Sequence, residues 1–125
     1  MHEIAFPELA RRANADPEFR LHARFWNATL RLDLGSARGR LVIADGAIRD
    51  AAPCADDAVA DLKLAIPADV LARMCEPVPK PFYHDLFGAV AHHGVVLEPE
   101  PSAWAPYYPA LRRLVELLRV AQEGA

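Results

Sequence analysis

Residues 26–34 alternate between apolar and polar side chains, which is the period of a strand with one buried face and one solvated face. The apolar positions are Trp26, Ala28, Leu30, Leu32 and Leu34. Phe25 and Trp26 stand at the entrance of this strand, and we expect both to join the core. Of all segments of the chain, this one most clearly indicates a β-strand.

Further strands follow this one. The strand over 26–34 and the next two strands are predicted to form a meander. Positions 40–44 and 47–51 make two apolar runs separated by Asp45-Gly46, a strong short-range hairpin signal. Such short connections require antiparallel pairing. A fourth strand is predicted over 61–66, with Leu62, Leu64 and Ile66 facing inward, and a short fifth strand over 95–98.

Helical spacing of apolar residues surrounds this sheet pattern. We expect helices over the opening segment, from Pro17 behind an Asp16 N-cap, over 67–75, over 82–91 and over about 105–122. The last helix carries one apolar stripe: Trp104, Tyr107, Tyr108, Leu111, Leu114, Val115, Leu118 and Ala121. This order of elements predicts an α+β domain with a helical layer on one face of the sheet.

Composition limits the classes of function. The chain has 125 residues, of which 53% are hydrophobic and 25% charged. This length and composition predict a single globular domain spanning residues 1–125. The net charge is −3. No basic surface for nucleic acid is indicated. The first residues do not resemble a signal peptide, and no apolar run is long enough for membrane insertion, so we expect a cytoplasmic protein. Cys54 and Cys75 are expected to be reduced thiols.

The sequence contains no recognisable catalytic or metal-binding motif, so we expect no catalytic residues, no metal and no cofactor. The neighbours His84 and Asp85 diverge on a helix and cannot form a dyad with each other. A metal held by His84 with His92 or His93 would lack a third ligand. Cys75 is better explained as a small buried hydrophobic residue.

Three segments carry a resemblance to a known family: Trp26-Asn27-Ala28-Thr29-Leu30-Arg31-Leu32, Leu41-Val42-Ile43-Ala44-Asp45-Gly46 and Leu62-Lys63-Leu64-Ala65-Ile66-Pro67-Ala68-Asp69-Val70-Leu71. Together with the order of elements, they resemble the sterol carrier protein type 2 (sterol-binding) domain family. Prolines at 77, 79, 81, 99 and 101 depart from the small-residue stretches usual in that family. The resemblance implies a curved, mainly antiparallel five-stranded sheet with helices packed on one face. It also implies an apolar tunnel that takes up fatty acids, acyl chains or sterol-like lipids without catalysis.

The helical faces suggest which residues would line such a tunnel. This lining set comprises Met74, Phe82, Leu86, Phe87, Val90, Tyr107, Leu111, Leu114, Val115 and Leu118. Tyr107, Tyr108 or Trp104 could hold a polar head at the mouth, because their rings combine an apolar body with a polar group. The expected partner is therefore a lipid or fatty-acid-like small molecule.

Two alternatives remain open from the residues alone. The first is a partner-docking or dimerisation module with a closed core, which would expose an apolar patch or form a homodimer through the last helix. The second is a small ketosteroid-isomerase-like enzyme, whose acid or base would be His84, Asp85 or His92. The strong helix at the end of the chain argues against the second alternative, because that enzyme fold ends in strands.

Overall fold

The computed structural model describes residues 5–55, 59–76 and 86–123. The strands are β1 Ala28–Leu34, β2 Ala37–Ala44, β3 Ala47–Pro53, β4 Leu62–Ile66 and β5 Val96–Glu98. The helices are α1 Phe6–Ala15, α2 Pro17–His22, α3 Ala68–Met74, α4 Leu86–His92, α5 Pro101–Trp104 and α6 Tyr108–Glu123, with a 3₁₀ turn over Ala105–Tyr107 between the last two.

The strands form one sheet in the order β3-β2-β1-β4-β5. The predicted meander is confirmed, since β1–β2 and β2–β3 are antiparallel, as is β4–β5. β1 and β4 pair in parallel, with Leu30 opposite Leu62 and Leu34 opposite Ile66. The fold class is therefore the predicted α+β arrangement with a mainly antiparallel five-stranded sheet.

One face of the sheet is apolar and covered by helices. Leu30, Leu41 and Leu64 are fully enclosed there, in the same core cluster as Phe6 of α1 and Leu111 of α6. The opposite face is polar. On it, the Arg31 guanidinium donates to the Asp33 carboxylate over 2.8 Å, and Lys63 lies 3.8 Å from the same carboxylate.

α1 is fixed to the edge strand β3 by an amide side chain. Asn14 Nδ2 donates to the Ile48 carbonyl over 2.9 Å, and the Ile48 N–H donates to Asn14 Oδ1 over 2.8 Å. Ile48 lies at the register shift between β2 and β3. The Asn14 amide therefore satisfies both backbone groups of an edge residue, which would otherwise require water or another strand.

The predicted Asp45-Gly46 hairpin is confirmed. Both residues have positive φ, 50° and 74°, as a type I′ turn requires. The Gly46 N–H donates to the Trp26 carbonyl over 3.1 Å. A Cβ on Gly46 would lie 2.8 Å from the Ala23 carbonyl oxygen, so glycine permits the hairpin to approach the segment that precedes β1.

The start of the last helix and the burial of Phe25 differ from the prediction. The last helix was expected from position 105, but α5 ends at Trp104 and α6 begins at Tyr108. Pro106 lies in the 3₁₀ turn between them, and proline interrupts helical hydrogen bonding because it has no N–H. Phe25, expected in the core, is 75% exposed and adopts φ 70°.

Candidate functional site

The described members of the lining set converge on one core. Met74, Leu86, Leu111, Leu114 and Leu118 are buried in a single cluster, and Val90, Tyr107 and Val115 pack against it. Phe82 and the side chain of Phe87 lie outside the described residues. Contributions to this cluster come from α3, α4 and α6, as the three helical faces predicted.

A pocket of about 300 Å³ opens beside this core, where the segment before β1 meets the start of β4 and the 3₁₀ turn. We call it the aromatic pocket; its walls are Phe25, Trp26, Asn27, Ala28, Asp61, Leu62 and Tyr107. The volume is at the small end of the range for ligand pockets. Tyr107 belongs to the lining set, so the pocket and the predicted tunnel wall share a residue.

Two stacked rings form one wall of the aromatic pocket. The Trp26 indole and the Tyr107 phenol are nearly parallel, with centroids 4.9 Å apart and an interplanar angle of 7°. Trp26 is only 3% exposed, its indole N–H has no acceptor among the described residues, and the indole nitrogen keeps some accessible surface. A tryptophan this deeply buried normally has a hydrogen-bond partner.

Asp61 forms the polar wall, and backbone contacts hold it in place. The Thr29 N–H donates to Asp61 Oδ2 over 2.8 Å, while the Asp61 N–H donates to the Thr29 carbonyl over 2.9 Å. This reciprocal pair aligns the start of β4 with β1. Asp61 Oδ1 makes no recorded contact within the described part of the chain, so one carboxylate oxygen remains available to a ligand.

The segment carrying Phe25 and Trp26 is held by polar contacts on both sides. Asn27 Nδ2 donates to the Phe25 carbonyl over 3.1 Å, and Asn27 Oδ1 accepts the Asp45 N–H over 3.1 Å. The Trp26 N–H donates to the Ala23 carbonyl over 2.8 Å. These bonds keep Phe25 in a left-handed conformation, which costs about 1 kcal/mol for a residue with a side chain.

An ion-pair network fixes α6 against α2. Arg113 donates from Nε and Nη2 to the two carboxylate oxygens of Asp16, both over 2.9 Å, and it also contacts Glu18 and Glu116 at 3.0 Å. Asp16 Oδ2 additionally accepts the Phe19 N–H over 2.8 Å, which confirms the predicted N-cap of α2. The hydrogen bond from Arg113 lowers the pKa of the Asp16 carboxyl below its ordinary value of 3.8. The network therefore sets the position of the helix that follows Tyr107.

The three residues predicted to hold a polar head differ in their surroundings. Trp104 Nε1 donates to the Pro99 carbonyl over 3.1 Å, so its donor is already occupied. Tyr108 lies beside Trp104, with ring centroids 6.1 Å apart, and does not line the aromatic pocket. Tyr107 does line it, and its hydroxyl has no recorded partner in the described ranges.

The residues weighed for metal binding, acid–base chemistry and thiol chemistry lie only partly within the described ranges. Across the described ranges, no group of three His, Cys, Asp or Glu side chains is arranged to hold a metal ion. Of the three acid–base candidates, His84 and Asp85 lie outside those ranges, and His92 is exposed at the end of α4. Cys54 and Cys75 form no disulfide, and both are half-buried. In the part of the chain that is described, no helix has the length and apolarity of a membrane span.

Comparison with solved structures identifies the fold. The chain superposes on a crystal structure of sterol carrier protein 2 with a TM-score of 0.75 and 21% identity, covering 90% of this chain and 92% of the other. A conserved hypothetical protein of Thermus thermophilus, described as possibly a sterol carrier protein, gives a TM-score of 0.69 at 22% identity, with coverage of 94% and 89%. The ubiquinone synthesis protein UbiJ-SCP2 gives 0.54 at 15% identity, with coverage of 94% and 87%.

The protein thus has the sterol carrier protein 2 fold that the sequence resemblance implied. Scans against family profiles and against curated protein sequences find no match. The likeness is therefore one of architecture at low sequence identity. Neither the ketosteroid-isomerase-like alternative nor the closed docking module is favoured by these neighbours.

Sequence reasoning missed two features of the site. The predicted core position of Trp26 is confirmed, but the alternating pattern does not indicate that its ring also lines a pocket. The strand predicted from Asp61 begins at Leu62, and the pattern does not indicate that Asp61 forms the polar wall of that pocket. Asp61 breaks the apolar alternation of 62–66 at its N-terminal end, but nothing local indicates that this end lies beside Trp26.

Proposed function

We propose that this protein binds an apolar, lipid-like ligand without chemically transforming it, in a space between the sheet and helices α3, α4 and α6. The observation that carries the proposal is that the chain shares the sterol carrier protein 2 fold over nine-tenths of its length. The lining set supplies the apolar surface that such a ligand needs. An acyl chain leaving water gains about 0.8 kcal/mol per methylene, enough for micromolar affinity after association costs.

Two valines of α6 provide a matched test. Val115 packs partly buried against the core, whereas Val120 is 45% exposed, five positions further along the helix. If ligand space adjoins Val115, then Val115→Trp fills it and weakens uptake of the neutral fluorophore N-phenylnaphthylamine, while Val120→Trp binds like the wild type. Thermal unfolding of both variants is measured in parallel.

The stability of the Val115→Trp variant shows whether Val115 adjoins open ligand space or a filled core. Adding a large ring to a well-packed core costs about 1–3 kcal/mol, but filling ligand space costs little. A wild-type protein that takes up no fluorophore, together with a strongly destabilised Val115→Trp variant, would refute the proposal. Native mass spectrometry of freshly purified protein, followed by organic extraction, would identify any ligand that is retained.

A further inference from the structure

The aromatic pocket holds polar groups that binding of an acyl chain does not use. Trp26 is 3% exposed, lines the pocket and offers an indole N–H with no acceptor among the described residues. Because the indole nitrogen keeps some accessible surface, a ligand atom in the pocket can replace solvent as the acceptor of its proton. The Tyr107 hydroxyl on the same wall can either donate or accept.

Trp26 favours a ligand atom that accepts a hydrogen bond, whereas Asp61 favours a ligand group that donates one. Asp61 is the charged side chain among the seven residues of the pocket wall. Its Oδ2 is occupied by the Thr29 N–H, and its Oδ1 is available. An ionised carboxylate only accepts hydrogen bonds, so Oδ1 favours a ligand group that donates and opposes one that is negatively charged.

We propose that the aromatic pocket selects a ligand whose polar end is an uncharged hydroxyl, and that Asp61 discriminates against ligands ending in a carboxylate. A hydroxyl donates its proton to Asp61 Oδ1 and accepts from Trp26 Nε1. A carboxylate can accept from Trp26 but is repelled by Asp61. An ammonium group suits Asp61 but leaves the Trp26 donor unpaired. This inference rests on the proposed function, because the pocket receives the head of a ligand whose chain occupies the apolar space.

The test compares dodecanol and laurate, which share a chain length and differ in the head group. Each is used to displace N-phenylnaphthylamine from the protein at neutral pH. We expect dodecanol to displace the fluorophore at a concentration about tenfold lower than laurate does, because one close like charge near the protein surface is worth about that factor.

Asp61→Asn is the informative variant. The asparagine oxygen can still accept the Thr29 N–H, while its amide replaces Oδ1 with a donor. Laurate should therefore bind more tightly to this variant. The ratio of the displacing concentrations of laurate and dodecanol should fall to about twofold or less. Asp50→Asn is the control, because it removes the same charge from an exposed position on the edge strand β3 that does not line the pocket. The control should keep the wild-type preference.

Two results overturn the proposal in distinguishable ways. If the wild type binds the fluorophore and both ligands equally, or if Asp61→Asn leaves the ratio unchanged, head-group selection fails while lipid binding stands. If the wild type binds neither the fluorophore nor the ligands, the proposed function itself fails. Trp26→Phe adds an independent readout. Provided that it unfolds at the wild-type temperature, it should weaken dodecanol several-fold, and unchanged dodecanol binding would contradict the role of the indole donor.

Discussion

Replacing Asp16 should separate the charge of its carboxylate from its capping role. Its carboxylate both caps α2, through the Phe19 N–H, and pairs with two of the three guanidinium nitrogens of Arg113, Nε and Nη2. The Asp16 side chain is only 13% exposed and that of Arg113 25%, so solvent screens this pair less than a surface ion pair. The two roles can be separated because asparagine is also a good N-cap residue.

Asp16→Asn keeps the cap and removes the charge. A bidentate, charge-assisted pair of this exposure contributes about 1–2 kcal/mol. Asp16→Ala removes the cap as well, which adds about 1 kcal/mol. Denaturant unfolding should therefore rank the wild type above Asp16→Asn and Asp16→Ala last, with total losses of about 1–2 and 2–3 kcal/mol.

The effect should also depend on pH. Because the hydrogen bond from Arg113 lowers the pKa of Asp16 in the folded state, the pair stabilises the fold above the unfolded value and is lost as pH falls through the folded value. The gap between wild type and Asp16→Asn should be full at pH 7 and should close progressively below the ordinary value of 3.8. The corresponding substitution at the other residue of the ion pair is Arg113→Met, which removes the charge and keeps the length of the side chain.

A double-mutant cycle gives the clearest refutation. If Asp16→Asn and Arg113→Met act through their mutual contact, the double variant should lose at least about 1 kcal/mol less than the sum of the two single losses. Exact additivity, or a wild-type advantage that persists unchanged at low pH, would show that the pair does not join α2 to α6.

Two further predictions concern segments next to the site. Asn14→Asp keeps the acceptor for the Ile48 N–H but replaces the donor that binds the Ile48 carbonyl, so it should destabilise the fold by about 1–3 kcal/mol; chemical denaturation measures this loss, and a wild-type midpoint would contradict the amide bridge. Phe25→Asn should change stability by less than about 1 kcal/mol, since asparagine tolerates the left-handed conformation and the ring is exposed, against about 3–5 kcal/mol for loss of a core phenylalanine. A loss of that larger size on thermal unfolding would show that Phe25 belongs to the core after all.

Local signals were sufficient for most of the fold. The alternation before Leu34, the Asp45-Gly46 turn and the Asp16 cap each act within a few residues, and each is present in the structure. The parallel pairing of β1 with β4 has no such signal, because it depends on the path of the chain between them. Pro106 indicates the break before Tyr108, because proline has no N–H to continue the helical hydrogen bonding. The apolar stripe runs across this break, so the stripe alone does not show where the last helix begins.

The candidate site was only half predictable for the same reason. Helical spacing indicated which faces of α3, α4 and α6 turn inward, because the apolar stripe of an amphipathic helix is the face that packs against the core. The aromatic pocket instead depends on the register that places Thr29 beside Asp61, and register is a long-range property. Phe25 could not have been predicted to point outward, because a phenylalanine with positive φ is an exception that only the surrounding contacts impose.

The two tryptophans of the chain differ in whether the indole N–H is hydrogen-bonded within the protein. Trp104 is 9% exposed and its indole N–H is bonded to the Pro99 carbonyl. Trp26 is more deeply buried, at 3%, yet its N–H points to no protein acceptor among the described residues and its ring forms a pocket wall. The Trp26 ring is buried, but its indole nitrogen keeps some accessible surface, so its donor can be satisfied from outside the protein core. The indole donor that remains available beside the aromatic pocket, in contrast to the occupied donor of Trp104, is the physical reason for proposing that the polar end of a ligand binds in this pocket.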